Sequence, residues 1–341
     1  MATYERSDYS ADEKDVERML RPYREAVESG LKKLKEKDSK LDKLAFGFLE
    51  GGGKRIRPTI TLLTCDAIKG SYAEAVPIAV AYELAHAASL TQDDIIDNSP
   101  TRHNRPTAHT AHGVTTAILL SDMMIFNIFE MLAEYEDADV SKSQLTTLIR
   151  YVAKSAKEAA EGEYLEMQLS KKAEPTIEEY VKLAGLKTGA LFGAAAASGA
   201  VVGGGKPRVV KEMYEFGRNL GVAFQMVDDI LDMTGTSKEM GKPMLKDLQN
   251  NAANVVIVHA LRHADPTRRN QIRSMMVRSL YGFVEVDELL AILDDLGSVE
   301  YAAGLCGKHA ALARGKLKSL PEGPARDILE KVTLWLEARR K

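Results

Sequence analysis

Of 341 residues, 45% are apolar and 28% charged, the balance of an ordinary globular chain long enough for one or two domains. The 46 basic and 49 acidic side chains leave a net charge of −3, which argues against a nucleic-acid-binding protein. Two cysteines, Cys65 and Cys306, are too few for a disulfide framework and match no metal-site spacing, so a reducing, cytoplasmic compartment is expected.

Taken in chain order, the N-terminal stretch is densely charged and has no apolar run, so no signal peptide is expected. An amphipathic helix rich in Glu and Lys is predicted over about 11–37, followed by helices over 58–69, 74–97, 107–135 and 142–169. Helices over 177–202 and 209–233 come next. The uncharged run 189–205 is mostly Gly, Ala and Ser, falls short of a membrane span and is too weakly apolar to insert. No integral membrane segment is therefore expected; the run predicts a helix whose small side chains let neighbours approach closely. After a gap, helical periodicity resumes over 251–263, 267–280, 286–295, 299–316 and 325–340. Breaks fall at Gly51-Gly52-Gly53 and at 98–106, 203–207 and 234–243. Few segments alternate with period two and none is bounded like a hairpin. With no repeat and no low-complexity linker, the prediction is one all-α helical bundle spanning 1–341, the first helix packed on it.

The chemistry is concentrated in a duplicated acidic motif, Asp93-Asp94-Ile95-Ile96-Asp97 and Asp228-Asp229-Ile230-Leu231-Asp232. On a helix, positions i and i+4 lie about 40° apart, so Asp93 shares a face with Asp97, and Asp228 with Asp232. One such motif usually marks a solvated acidic face. Two copies, each preceded by apolar residues and followed by a polar loop, instead suggest facing carboxylates that hold Mg²⁺ and, through it, a diphosphate. A cationic turn, Gly51-Gly52-Gly53-Lys54-Arg55-Ile56-Arg57-Pro58, suits an anion but lacks the spacing of a nucleotide P-loop. His86 lies seven residues before Asp93 on the same face. Glu83 and His86 make one Glu-x-x-His pair, but no second pair exists, which excludes a di-iron bundle.

The segments GGGKRIRP, HAASLTQDDIIDNSPTRHNRPTAH, KTGALF and FQMVDDILDMTG, in that order, resemble the all-trans polyprenyl diphosphate synthase family, of the geranylgeranyl and geranylfarnesyl type. The likeness covers roughly 44–258. It implies an isoprenoid-synthase helical bundle around a deep cavity, usually a homodimer, that joins isopentenyl diphosphate to an allylic diphosphate head to tail. Position by position, it implies that Lys54, Arg57 and His86 hold isopentenyl diphosphate and that Arg102, Lys187 and Lys242 grip the allylic diphosphate. Asp93, Asp97, Asp228 and Asp232 would bind Mg²⁺, with Asp94 and Asp229 as ligands or as partners that orient them. Thr188 and Gln225 would set oxygen dipoles beside the allylic cation. Gly162-Glu163 matches a family pair read here as structural.

Three positions depart from the family pattern. His103 stands where a second arginine usually helps bind isopentenyl diphosphate, Ala252 where a diphosphate-binding lysine usually lies, and Gln92 where histidine is common. A terpene cyclase on the same fold would need the acidic motifs but not Lys54, Arg57 and His86. A non-catalytic subunit of a heteromer would fit the His103 and Ala252 changes but not six intact aspartates. Product length is expected to be read by the helix before Asp93. Ser89, Ala88 and Ala85 are small, and the first large side chain, Tyr82, lies ~16 Å below Asp93. That predicts a product of C20 or longer, centred on about C25 and reaching C30.

Overall fold

A computed structural model describes residues 13–35, 39–49, 53–102, 105–136, 138–172, 174–234, 253–279 and 286–338. Among them run fifteen α-helices: α1 (Glu13–Lys35), α2 (Lys40–Leu49), α3 (Ile56–Lys69), α4 (Val76–Ile96), α5 (Ala108–His112), α6 (Val114–Ala133), α7 (Lys142–Leu169), α8 (Ile177–Ala184), α9 (Ala190–Val202), α10 (Pro207–Thr234), α11 (Val255–His263), α12 (Pro266–Ser279), α13 (Val286–Asp295), α14 (Ser298–Lys316) and α15 (Pro324–Ala338). Local chemistry sets several of the starts. The Ser141 hydroxyl accepts from the Gln144 N–H while the Gln144 side chain accepts from the Ser141 N–H, and Thr176 and Glu179 repeat the arrangement at α8. Caps of this kind stabilise a helix start by ~1 kcal/mol each.

The bundle is organised around α9, all of whose residues are buried, with α3, α7 and α10 packed against it. Its small side chains bring backbones into contact. A Cβ on Gly199 would sit 2.1 Å from the Thr61 carbonyl oxygen, and one on Gly217 of α10 would sit 2.2 Å from that of Phe192. Helix α4 packs against α3 and α6. Both cysteines are buried thiols.

Four differences from the sequence-based expectation have local causes. Helix α2 was not predicted; its ten residues include Gly47 and three charges in the first half, too short and mixed to show a period, yet Ala45, Phe46 and Leu49 are buried. The predicted helix over 107–135 breaks at Gly113, whose φ of 82° separates α5 from α6. Thr101–Arg102 pairs antiparallel with Arg105–Pro106, a small hairpin where none was expected, because two-residue strands show no alternation. Finally, 177–202 is one continuous helical path with a π-helical turn at Gly185–Gly189.

Two helical stretches, Val114–Glu136 and Ile177–Val202, have the length and apolarity to cross a membrane. The second is 89% buried in the bundle and is its core helix. The first buries one face on α4 and leaves Val114, Ile118, Leu119, Phe126 and Phe129 exposed on the other.

Candidate active site

Helix α4 ends in the first acidic motif. Asp93 is half-buried, Asp94 buried, and Asp97 exposed one residue past the last turn. The Asp97 N–H still bonds to the Asp93 carbonyl at 2.8 Å, so the two carboxylates keep their helical spacing. Asn98, at φ 48°, then turns the chain into the hairpin, which returns Arg102 to Asp94. The Arg102 guanidinium spans that carboxylate, Nε at 3.0 and 3.1 Å from its two oxygens and Nη2 at 2.9 Å. Burial lifts Asp93 to about 7; Lys187 and Arg102 pull it back, while Glu163 and Glu166 push it further. An acid cluster this crowded calls for a cation.

The second motif is carried by α10. Asp228 is half-buried, Asp232 wholly buried, and Asp229 1% exposed. One Asp229 oxygen accepts from the Val255 N–H at 2.9 Å at the start of α11, and the other from Gln225 Nε2 at 3.0 Å. Gln225 Oε1 in turn accepts from the Thr188 hydroxyl at 2.7 Å. Both Asp229 oxygens are therefore engaged by the protein, and Thr188, Gln225 and Asp229 form one hydrogen-bonded chain. Asp229→Asn would set an amide nitrogen against one of those two donors and is expected to cost ~1–3 kcal/mol, with Asp228→Asn costing less. Equal losses for the two variants in urea unfolding would remove this capping role.

The cations come from three elements. Lys187 lies on the π turn, clasped by Glu163 at 2.6 Å and by Glu166. Burial opposes its charge, but Glu166, Asp93 and Glu163 together hold it firmly protonated. Gly162 explains how α7 comes so near, since a Cβ there would lie 2.5 Å from the Lys187 backbone nitrogen. Gly162 is structural as read; Glu163 does more, and Glu166 was missed. Arg57, on the first turn of α3, crosses the face of Phe192 with its guanidinium carbon 4.5 Å from the ring centroid, and its buried Nε has no hydrogen-bond partner. Burial pushes Arg57 down to about 10, opposed by the fields of Glu83, Asp228 and Asp93. The fields of both acidic motifs thus reach the cationic turn at Arg57. Lys54 sits at the outer edge, its ammonium 5.3 Å from the Trp335 ring centroid. His86 is half-buried on α4.

Below Asp93, Ser89 and Ala85 are half-buried, and the Ser89 hydroxyl donates to the His86 carbonyl at 2.9 Å. Tyr82 is fully buried, its hydroxyl 2.8 Å from that of Ser198 on α9. Ala88 belongs to another face: five residues before Asp93 it is about 140° away around the helix. It is buried against α6, where the Ser121 hydroxyl donates to its carbonyl at 3.3 Å. Ala88 thus packs beside α6, and the chain-length role expected of it is left to substitution at this position.

Among the described residues no three His, Cys, Asp or Glu side chains converge as a self-sufficient metal cage. Mg²⁺ does not need one, since it commonly takes one or two carboxylates and completes its shell with water and phosphate oxygens. The oxygen-only donor set of Asp93, Asp97 and Asp228 fits that requirement. His103, Lys242 and Ala252 lie outside the described residues.

The polyprenyl synthetase family model matches residues 38–293. The chain is 32% identical over 281 residues to the short chain isoprenyl diphosphate synthase of Methanothermobacter thermautotrophicus, covering 82% of this chain and 85% of that protein. It is 32% identical over 300 residues to the geranylfarnesyl diphosphate synthase of Aeropyrum pernix, covering 86% and 92%. The fold is similar to the crystal structure of geranylgeranyl pyrophosphate synthetase from Pyrococcus horikoshii, with a TM-score of 0.85, 31% identity, and coverage of 94% of this chain and 97% of that one.

Proposed function

The chain belongs to the polyprenyl synthetase family and is a prenyltransferase, and from that premise we propose that it condenses isopentenyl diphosphate with an allylic diphosphate, head to tail, to a product of about C25 within a C20–C30 range. The observation that carries this reading is the hydrogen-bonded assembly of both motif helices with the π turn and its cations: Arg102 spans Asp94, Thr188 and Gln225 join the π turn to Asp229, and Lys187 is clasped by Glu163 and Glu166. Anionic motifs for one diphosphate and a cationic turn for another are the two halves of this reading.

In this reading Asp93, Asp97, Asp228 and Asp232 hold Mg²⁺, which when bound would neutralise charge on the departing diphosphate. Arg102, Lys187 and Lys242 grip the same group, while Lys54, Arg57, His86 and His103 hold isopentenyl diphosphate. The C1–O bond of the allylic substrate breaks, and its C1 bonds to C4 of isopentenyl diphosphate. The C2 proton of the latter then passes to the released diphosphate, so no side-chain base is needed. Oxygen dipoles of Thr188 and Gln225 face the developing cation, and electrostatic preorganisation of this kind usually dominates such steps. The apolar shaft below excludes water that would quench the cation as an alcohol.

The chain forms a single domain in this reading, supported by one continuous core from Val16 to Leu336. Its expected compartment is the cytoplasm. The occupant of the exposed α6 face is a second copy of the chain, as apolar patches of this extent commonly mark interfaces. Phe126→Asp combined with Phe129→Asp should convert a dimer to a monomer in sedimentation velocity at micromolar protein. A wild type that already sediments as a monomer would overturn the dimer.

The deciding assay incubates the protein with Mg²⁺, labelled isopentenyl diphosphate and each allylic primer. Elongated diphosphates support the proposal. Cyclic hydrocarbons formed without isopentenyl diphosphate would make the protein a cyclase, and silence with every primer would make it a non-catalytic subunit.

A further inference from the structure

Arg55 and Glu83 have no place in the reaction just described, yet they form a buried ion pair beside the cationic turn. Arg55 precedes α3 at φ 47° and ψ 38°, the left-handed region that non-glycine residues adopt at a cost. Its side chain, 5% exposed, holds it there. Nε donates to Glu28 Oε1 of α1 at 2.8 Å, Nη1 to Glu83 Oε1 of α4 at 2.5 Å, and Nη2 to the Leu49 carbonyl of α2 at 2.5 Å. One guanidinium thus ties three helices to the turn that carries Lys54 and Arg57.

Glu83 links that tie to the site. Its carboxylate is fixed by Arg55, and its charge is the strongest of those that keep Arg57 protonated. Arg57 has its guanidinium laid on Phe192 and its Nε without a protein partner. Donors left unspent on the protein, on a side chain already held in place, are what a preorganised anion site requires.

We propose that Arg55 is a positioning residue for the isopentenyl diphosphate end of the site: it locks residues 53–57 and the Glu83 carboxylate so that Lys54 and Arg57 are presented to that diphosphate, an inference that rests on the prenyltransferase reading above. The allylic end, built on α4, α7 and α10, is held by other bonds and should not feel the change. A purely structural ion pair would instead lower stability and leave the two substrates affected alike.

The test measures KM for isopentenyl diphosphate and for the allylic primer separately, with thermal midpoints, in wild type, Arg55→Gln, Arg55→Lys and Glu28→Gln. Arg55→Gln should raise KM for isopentenyl diphosphate at least about tenfold, or ~1.4 kcal/mol, with KM for the primer changed by less than about twofold. Arg55→Lys, which can meet some but not all three acceptors, should fall between. Glu28→Gln should shift the same constant by a smaller factor, because that carboxylate is 45% exposed. Equal shifts in both constants, or a fall in midpoint with both constants unchanged, would overturn the proposal. If Arg55→Gln does not fold, an unchanged isopentenyl constant in Glu28→Gln overturns it. A wild type that incorporates no isopentenyl diphosphate would bring down the prenyltransferase reading itself, a result separable from all of these.

Discussion

Asp93→Ala and Asp228→Ala should each lower turnover by about three orders of magnitude or more, every factor of ten being ~1.4 kcal/mol of lost transition-state stabilisation. The reason is positional. Each carboxylate is half-buried on its helix, and the charges of both act on Arg57. Removing either takes away half of the clamp proposed for the diphosphate as it leaves. Stability should change little, since the loss of a carboxylate near Glu163 and Glu166 relieves like-charge repulsion in the free protein. Turnover at saturating Mg²⁺ and a thermal midpoint check both halves of the expectation. Near-normal turnover in either variant would remove the clamp.

The second large effect concerns product length. Ser89→Phe should shorten the product to about C15–C20, because position 89 is one turn, ~6 Å, below Asp93 on the same face. Tyr82→Ala should lengthen it, at a cost of several kcal/mol in stability from the cavity left behind and the Ser198 hydroxyl left without its partner. Ala88→Phe should shorten the product as well, and because it adds bulk at a buried position beside α6 it should also destabilise the protein. Chromatography of dephosphorylated products decides the matter. An unchanged length in Ser89→Phe would show that this face of α4 is not the ruler.

What the sequence made legible follows from the range of the interactions involved. Long helices such as α7 announce themselves through a repeated period and a Ser-x-x-Gln start. The acidic motifs were legible for the same reason, since the spacing that makes them a ligand set lies within one turn. Helix α2 was missed because ten residues with a glycine show little period, and the Thr101–Arg102 hairpin because its strands are two residues long. In the site, the missed groups are those whose meaning depends on distant partners. Arg55 meets Glu28 and Glu83 at separations of 27 and 28 residues, and Lys187 meets Glu166 at 21. The resemblance singled out Arg57 in GGGKRIRP, but nothing within that segment shows that Arg55 is tied to three other helices. Likewise Asp229 looks identical to Asp228 in sequence; only the N–H of Val255, 26 residues on, separates their duties.

The glycine crossings between α3, α9 and α10 also bear on how such a protein can diverge. At Gly199 and Gly217 even one added carbon would lie within 2.2 Å of a carbonyl oxygen, so every side chain that mutation can introduce there is too large. Inherited change is consequently shut out of that seam. It remains open at Ala85 and Ser89, small residues that are only half-buried. With the α4 face as the ruler proposed above, the seam would serve as a fixed datum beside an adjustable scale, and descendants would acquire new product lengths by single substitutions without rebuilding the bundle.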